Sequence, residues 1–303
     1  MSSSQINTPE VPTGTVSVTD FGAVGDGRTD DSRAIQAAID SLVSTQVHPS
    51  GWSHVGGVVE FPRGQFVVRS PIRITVPGIT LQGCGLPSSQ RSCALVSAME
   101  GPVLLFPEDG AKPTPFAMRN ISIHGNKIVG GQYVVVPKSR GIEIHSDGPG
   151  GFRRKFILEN VGIFCMDAGI LITRHPTNDK MAQIGEMRLR DCIIGQNRVG
   201  IQFENSTSCN LMTISDSTIS QNAELGADIR AYAFTCTGSC FEGQPNGLRF
   251  RGAGAVIAGC HSEFNDGYAI DADGREVVGH GNYYYYPPGY AGLRDKFRFT
   301  NKK

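Results

Sequence analysis

The chain has 303 residues, enough for a large buried core in one or two domains. Its 28 basic and 28 acidic residues balance, which argues against a nucleic-acid or anionic-membrane surface, since either needs a basic stripe. Only 18% of residues are charged and 38 are glycine, a profile of many tight turns and few amphipathic helices.

The opening MSSSQINTPEVPTGT is polar and reads as a flexible arm over 1–15, followed by a single domain over 16–303. It has no basic n-region and no apolar h-region, so no secretory signal is expected. No apolar run reaches membrane-spanning length. The expected localisation is cytoplasmic synthesis, with virion association or non-classical export left open. Next, Ala34, Ile35, Ala38, Ile39 and Leu42 recur at helical spacing and predict one helix over about 30–43. Thr29 and Asp30 are its candidate N-caps. Beyond Ser44 the chain reads as short β-type runs separated by Gly, Asn, Asp and Pro. The eight cysteines match no zinc spacing and read as small buried hydrophobes. No cofactor is expected; Ca2+ stays an open alternative without a visible ligand set.

From residue 141 an internal repeat organises the chain. A Gly-apolar-x-apolar strand recurs as GIEIH at 141–145, GILIT at 169–173, GIQFE at 200–204, GADIR at 226–230, GLRFR at 247–251 and GYAID at 267–271. Between these lies a second element: FILENVGIF at 156–164, MRLRDCIIG at 187–195, LMTISDSTIS at 211–220 and AVIAGCHSEF at 255–264, with FAMRNISIHG at 116–125 as an earlier copy. Asn197, Asn222 and Asn265 close the second element, where asparagine suits the left-handed backbone of a sharp corner. Each unit is too small to bury its own apolar face, so stacked units must share one core. The expectation is an all-β, right-handed, single-stranded parallel β-helix with an N-terminal capping α-helix.

Within each Gly-apolar-x-apolar strand, alternation turns the first and third residues after Gly inward and the second and fourth outward. The outward residues then form two columns. The first reads Glu143, Leu171, Gln202, Asp228, Arg249, Ala269. The second reads His145, Thr173, Glu204, Arg230, Arg251, Asp271.

The segments VTDFGAVGDGRTDDSRAIQAAIDSL at 18–42 and GGVVEFPRGQFVV at 56–68 resemble the opening of the pectate-lyase-like β-helix superfamily. That superfamily includes tailspike depolymerases, polygalacturonase-related enzymes, alginate lyases and mannuronan C5-epimerases. The resemblance implies that Ile35, Ala38 and Ile39 lie on a helix plugging the first coil. It also implies that Asp26, Asp30 and Asp31 serve turn and cap geometry, and that the partner is a polysaccharide bound along one face. Homotrimers occur among tailspike relatives and are left open here. No nucleic-acid or membrane partner is expected.

Sugar scission needs a proton donor, a base and, on an acidic polymer, cations for its carboxylates. The columns supply Glu204 and Asp228 as acid and base, His145 as proton-transfer partner, and Arg230 and Arg174 as uronate binders. Glu143, Asp147, Gln202 and Arg249 are further substrate-binding candidates. Mannuronan epimerases carry Asp-Pro-His after a comparable stretch; here GIEIHSD places His145 and Asp147 with acid and imidazole exchanged. Of the polygalacturonase motifs only Asn265-Asp266-Gly267 and Gly279-His280-Gly281 have counterparts. The leading reading is a lyase or glycoside hydrolase acting on an acidic polysaccharide. Two alternatives are a non-catalytic polysaccharide-binding or structural phage-tail-type protein and a polyuronate C5-epimerase.

Overall fold

A computed structural model describes residues 14–47, 53–85, 92–107, 115–146, 155–174, 182–285 and 297–301. The repeated glycine is where the fold begins to explain itself. Gly141, Gly169, Gly200, Gly226 and Gly247 stand one above another, and a Cβ on any of them would strike the backbone carbonyl oxygen of the next coil: Gly169, Gly200, Gly226, Gly247 and Ala269 in turn. Coils stacked ~4.8 Å apart leave no room there for a side chain.

Three faces result, and their ladders pair in parallel. The first face holds the strands Ile72–Arg73, Gly101–Phe106, Val136–Ser146, Met166–Arg174 and Val199–Phe203. The second holds Thr15–Ser17, Gly57–Glu60, Ile79–Gln82, Pro115–Arg119, Lys155–Glu159, Ala182–Arg190 and Thr207–Ser215. The third runs from Asp26–Asp30 to Tyr283–Tyr285 in ten short strands. From Leu225 onward the first and second faces fuse: Leu225–Thr237, Asn246–Ala258 and Ile270–His280 are single bent strands that cover both. This is the expected all-β, right-handed parallel β-helix, in agreement with the strong right-handed preference of parallel crossovers.

The core is one continuous column. Ile142, Ile170, Ile201, Ala227, Leu248 and Ile270 stack in register, all at most 2% exposed. At its start the helix Ser32–Ser41 lays Ile35, Ala38 and Ile39 onto the first coil, each fully buried. Its N-cap is Asp31, one residue beyond the expected Thr29 and Asp30. The Asp31 carboxylate caps nothing; it is buried and accepts Val24 N and Gly25 N at 2.7 and 3.2 Å. Asp26 likewise accepts Arg28 N and Thr29 N, both at 2.8 Å, so turn-building occupies these aspartates. Residues 1–13 of the expected arm lie outside the described residues.

The corners correct one reading. Left-handed backbone falls on Gln196, Gln221 and Phe264, each one residue before the expected Asn197, Asn222 and Asn265, and on Gly243 before their counterpart Gln244. The asparagines instead turn inward as a buried ladder. Asn197 Nδ2 donates to Asn222 Oδ1 at 3.2 Å, and Asn222 Nδ2 donates to Gln244 Oε1 at 2.9 Å. Amide stacking answers the buried polar groups of a corner that apolar side chains would leave unpaired. Six of the eight cysteines are buried, and all eight are free thiols.

Candidate functional site

Pairing across coils sets the outward columns of the first face. Glu143 stands opposite Leu171, Leu171 opposite Gln202, Gln202 opposite Asp228, and Asp228 opposite Arg249. The next pairing departs from the sequence reading. Arg249 faces Asp271 and Arg251 faces Asp273, a shift of two residues from the expected Ala269 and Asp271. The reason is steric: Ala269, not Gly267, occupies the position of the glycine ladder in that coil.

The candidates fall into two groups. The first is a cleft of about 650 Å³ lined by Arg174, Gln202, Glu204, Asn205, Asp228 and Arg230. Asp228 is its unusual member. Its side chain is 13% exposed, its Oδ1 is buried with no hydrogen-bond partner among the described residues, and its Oδ2 lies 3.8 Å from Arg249 Nη1. Burial pushes its carboxyl above the ordinary aspartate range, and Arg230, Arg249 and Arg251 only partly pull it back. Glu204 is exposed and accepts a hydrogen bond from Thr173 Oγ1. Glu204 lies two residues along the strand from Gln202, the partner of Asp228. Backbone spacing therefore sets the two acids diagonally, about 8 Å apart at Cα, instead of directly opposite. Arg230 Nη2 donates to Asn205 Oδ1 at 3.0 Å, and Arg249 lies over the Tyr268 ring at 5.8 Å.

The second group is Arg140, Glu143 and His145. His145 Nε2 is 2.8 Å from Glu143 Oε1, and Arg140 Nε is 3.2 Å from Glu143 Oε2. His145 stands opposite Thr173, and Thr173 in turn reaches Glu204, so two coils, about 10 Å, separate His145 from Glu204, and Asp228 lies one coil further. Leu171, buried, lies between Glu143 and Gln202. The structure thus gathers Glu204, Asp228, Arg230, Arg174 and Gln202 around one cleft and places His145 and Glu143 beside it. Asp147 lies outside the described residues.

Sequence reasoning missed several neighbours. Asn205 and Arg140 sit just beyond the repeat motif, where no pattern singles them out. Glu242 and Glu263 stand opposite each other on the third face, beside Cys240 and His261. Burial and the shared proton of that pair push Glu242 upward. Their legible signal was the copy SCFE at 239–242, aligned with CHSE at 260–263. Among the described residues, no set of three His, Cys, Asp or Glu side chains is gathered as for a metal ion.

Comparison with known proteins bears on the fold. Residues 15–102 match the family described as rhamnogalacturonase A/epimerase, pectate lyase-like. Alginate lyase 7 of Azotobacter vinelandii is 44% identical over 66 residues, covering 20% of this chain and 8% of that protein. Mannuronan C5-epimerase AlgE6 of the same organism is 33% identical over 122 residues, covering 36% of this chain and 12% of that protein. The chain thus matches only a small part of the length of either curated relative. Among solved structures, the AlgE6 A-module superposes with a TM-score of 0.56 at 18% identity, covering 88% of this chain and 75% of that one. The DFA-IIIase of Arthrobacter chlorophenolicus A6, solved without its lid in complex with GF2, gives 0.62 at 10% identity, covering 94% and 86%. These structural likenesses concern the fold alone, and the match to the pectate-lyase-like family lies within residues 15–102.

Proposed function

We propose that the chain cleaves an acidic polysaccharide laid across the first face, with scission in the cleft between Glu204 and Asp228. The observation that carries this is Asp228: a buried carboxyl with an unpaired oxygen, raised above its ordinary range, set among arginines. Such a group keeps a proton where a free aspartate has lost it, and can deliver it to the glycosidic oxygen as the bond breaks. Glu204, exposed on the opposite diagonal, takes a proton in return. Taken from the sugar C5, that proton leaves a double bond as the electron pair departs with the oxygen. Taken from water, it leaves a hydroxyl on the cleaved carbon. Arg174 and Arg230 bind uronate carboxylates, which neutralises charge that would otherwise repel the base. Gln202 and Arg249 hold the ring between them. The curated relatives, an alginate lyase and a mannuronan epimerase, bear names that fit a polyuronate substrate.

The test is incubation with alginate, pectate, hyaluronan and capsular polysaccharides. New reducing ends with the absorbance of unsaturated uronate assign elimination; reducing ends without it assign hydrolysis. Glu204→Gln and Asp228→Asn should each lower kcat by about 10²–10⁴-fold, the usual worth of a positioned acid or base. A changed C5 configuration without scission replaces cleavage by epimerisation. Tight binding with no chemical change at all overturns the enzymatic reading.

A further inference from the structure

Where the first face bends into the second, a separate hollow of about 300 Å³ opens beside the cleft. Arg230 lines both. The floor is Ala231, Gly252 and Ala253; a Cβ on Gly252 would strike the Ala231 carbonyl oxygen, so the bend itself keeps this floor bare.

The walls carry three guanidinium groups, from Arg230, Arg251 and Arg275. Arg230 and Arg251 face each other in register on adjacent coils, an arrangement that repels. Arg251 is compensated: its Nη2 donates to Asp271 Oδ2 at 2.6 Å and its Nη1 to Asp271 O at 3.0 Å. Arg230 has only the neutral Asn205 oxygen for its Nη2, and its Nε is buried and donates to nothing among the described residues. Ser208 Oγ, on the same lining, is also buried with no partner. Arg275 is exposed and has no hydrogen bond or ion pair among the described residues. Buried donors without acceptors, on a lining whose charged side chains are all arginines, call for an acceptor-rich anion. Beside them Tyr232 is 44% exposed and offers its ring face. The C–H face of a sugar ring stacks on such an aromatic surface while its polar edge turns to the arginines.

We infer that this corner is a second sugar subsite, built for a ring that bears a carboxylate or a sulfate. It rests on the reading of the neighbouring cleft as a polysaccharide site, and it lets one chain run from the cleft past Arg230 and around the corner. The subsite thereby selects polymers that carry charge on the residue beyond the scissile bond.

The test uses the full chain carrying Glu204→Gln, so that no probe is consumed, with binding followed by calorimetry. Three probes are compared: an oligogalacturonate, its fully methyl-esterified counterpart, and a sulfated glucan oligosaccharide. Arg275→Gln should weaken an anionic probe about tenfold, the worth of one charge-assisted contact, and leave the methyl ester unchanged. Tyr232→Ala should weaken charged and esterified uronides alike. Arg63→Gln removes the same charge near the helix start and should change nothing. Of the carboxylate and sulfate probes, the one that loses more on Arg275→Gln identifies the anion, and either result supports the subsite. Equal affinities for the Arg275→Gln and Arg63→Gln proteins, or no binding of any anionic probe, overturn it. The two readings fail separately. Scission by the unsubstituted chain with indifferent corner variants sinks the subsite alone. Sensitive corner variants without scission sink the cleavage reading and leave the subsite standing.

Discussion

Asp228 shows how one residue can be legible in type and illegible in state. Alternation along GADIR turns it outward, and the fold agrees. Its depth comes from elsewhere: Arg249 stands opposite on the next coil, and Gln202 occupies the other side. The repeat sets these three in one column, but no pattern along the chain says how deep the side chain lies. The buried charge has a thermodynamic signature. With the folded carboxyl raised and the unfolded one ordinary, the folded chain binds more protons between the two values, so stability falls as pH rises through that window. Asp228→Asn should remove this slope. The variant should therefore gain stability relative to the parent as pH is raised above the ordinary aspartate range. Urea titrations at several pH values measure it; identical slopes for the two proteins would refute the buried-charge account. The same substitution is expected to abolish turnover, an exchange of stability for function common at active sites.

At the scale of the element, the Gly-apolar-x-apolar strand is a packing rule written into sequence. Its glycine is demanded by the backbone of the next coil, and its apolar residues by the shared core. Gly200→Ala tests this, since the new methyl meets the Gly226 carbonyl oxygen, which belongs to the sheet and cannot swing away. A loss of about 1–3 kcal/mol in chemical unfolding is expected, as for other overpacked sites. A neutral outcome would mean that the ladder glycines are dispensable. The rule also shows where motif matching slips. GYAID fits the pattern, yet its glycine lies two residues before the ladder position. A shift of two keeps every side chain on its own face, so hydrophobic alternation cannot detect it. The asparagine corners fail differently: the residue type was right for a corner, but its side chain serves an internal amide ladder while its predecessor takes the left-handed backbone.

Across the whole molecule, neutral net charge conceals a local concentration of arginines, interspersed with Glu204, Asp228, Asp271 and Asp273. The 28 cations and 28 anions cancel, yet Arg174, Arg230, Arg249, Arg251 and Arg275 cluster along the cleft and its corner. An acidic polymer should therefore bind in a strongly salt-dependent way although the protein as a whole is not basic. Affinity for an oligouronate is expected to drop at least about tenfold between about 0.05 and about 0.5 M NaCl, as the screening length shortens from over 10 Å to a few ångströms. Titration by fluorescence or calorimetry across that range decides it, and a flat response would exclude the arginine cluster as the main contact.

The sequence alone determined the β-helix, its capping helix and the face on which polar residues gather, because each depends on a short-range period: 3.6 for the helix, two for the strand, and 20 to 31 residues for the repeat. Only the tertiary structure decided that Asp271 and not Ala269 faces Arg249, that Asp228 is buried while Glu204 is not, and that His145 belongs with Glu143 and not with the acid pair. It alone brought Ser208 and Arg275, which lie outside the repeat motif, to Arg230 and Arg251, which share a position in it. Those features arise between coils, where loops of unequal length set the register, and a period read along the chain holds no record of them.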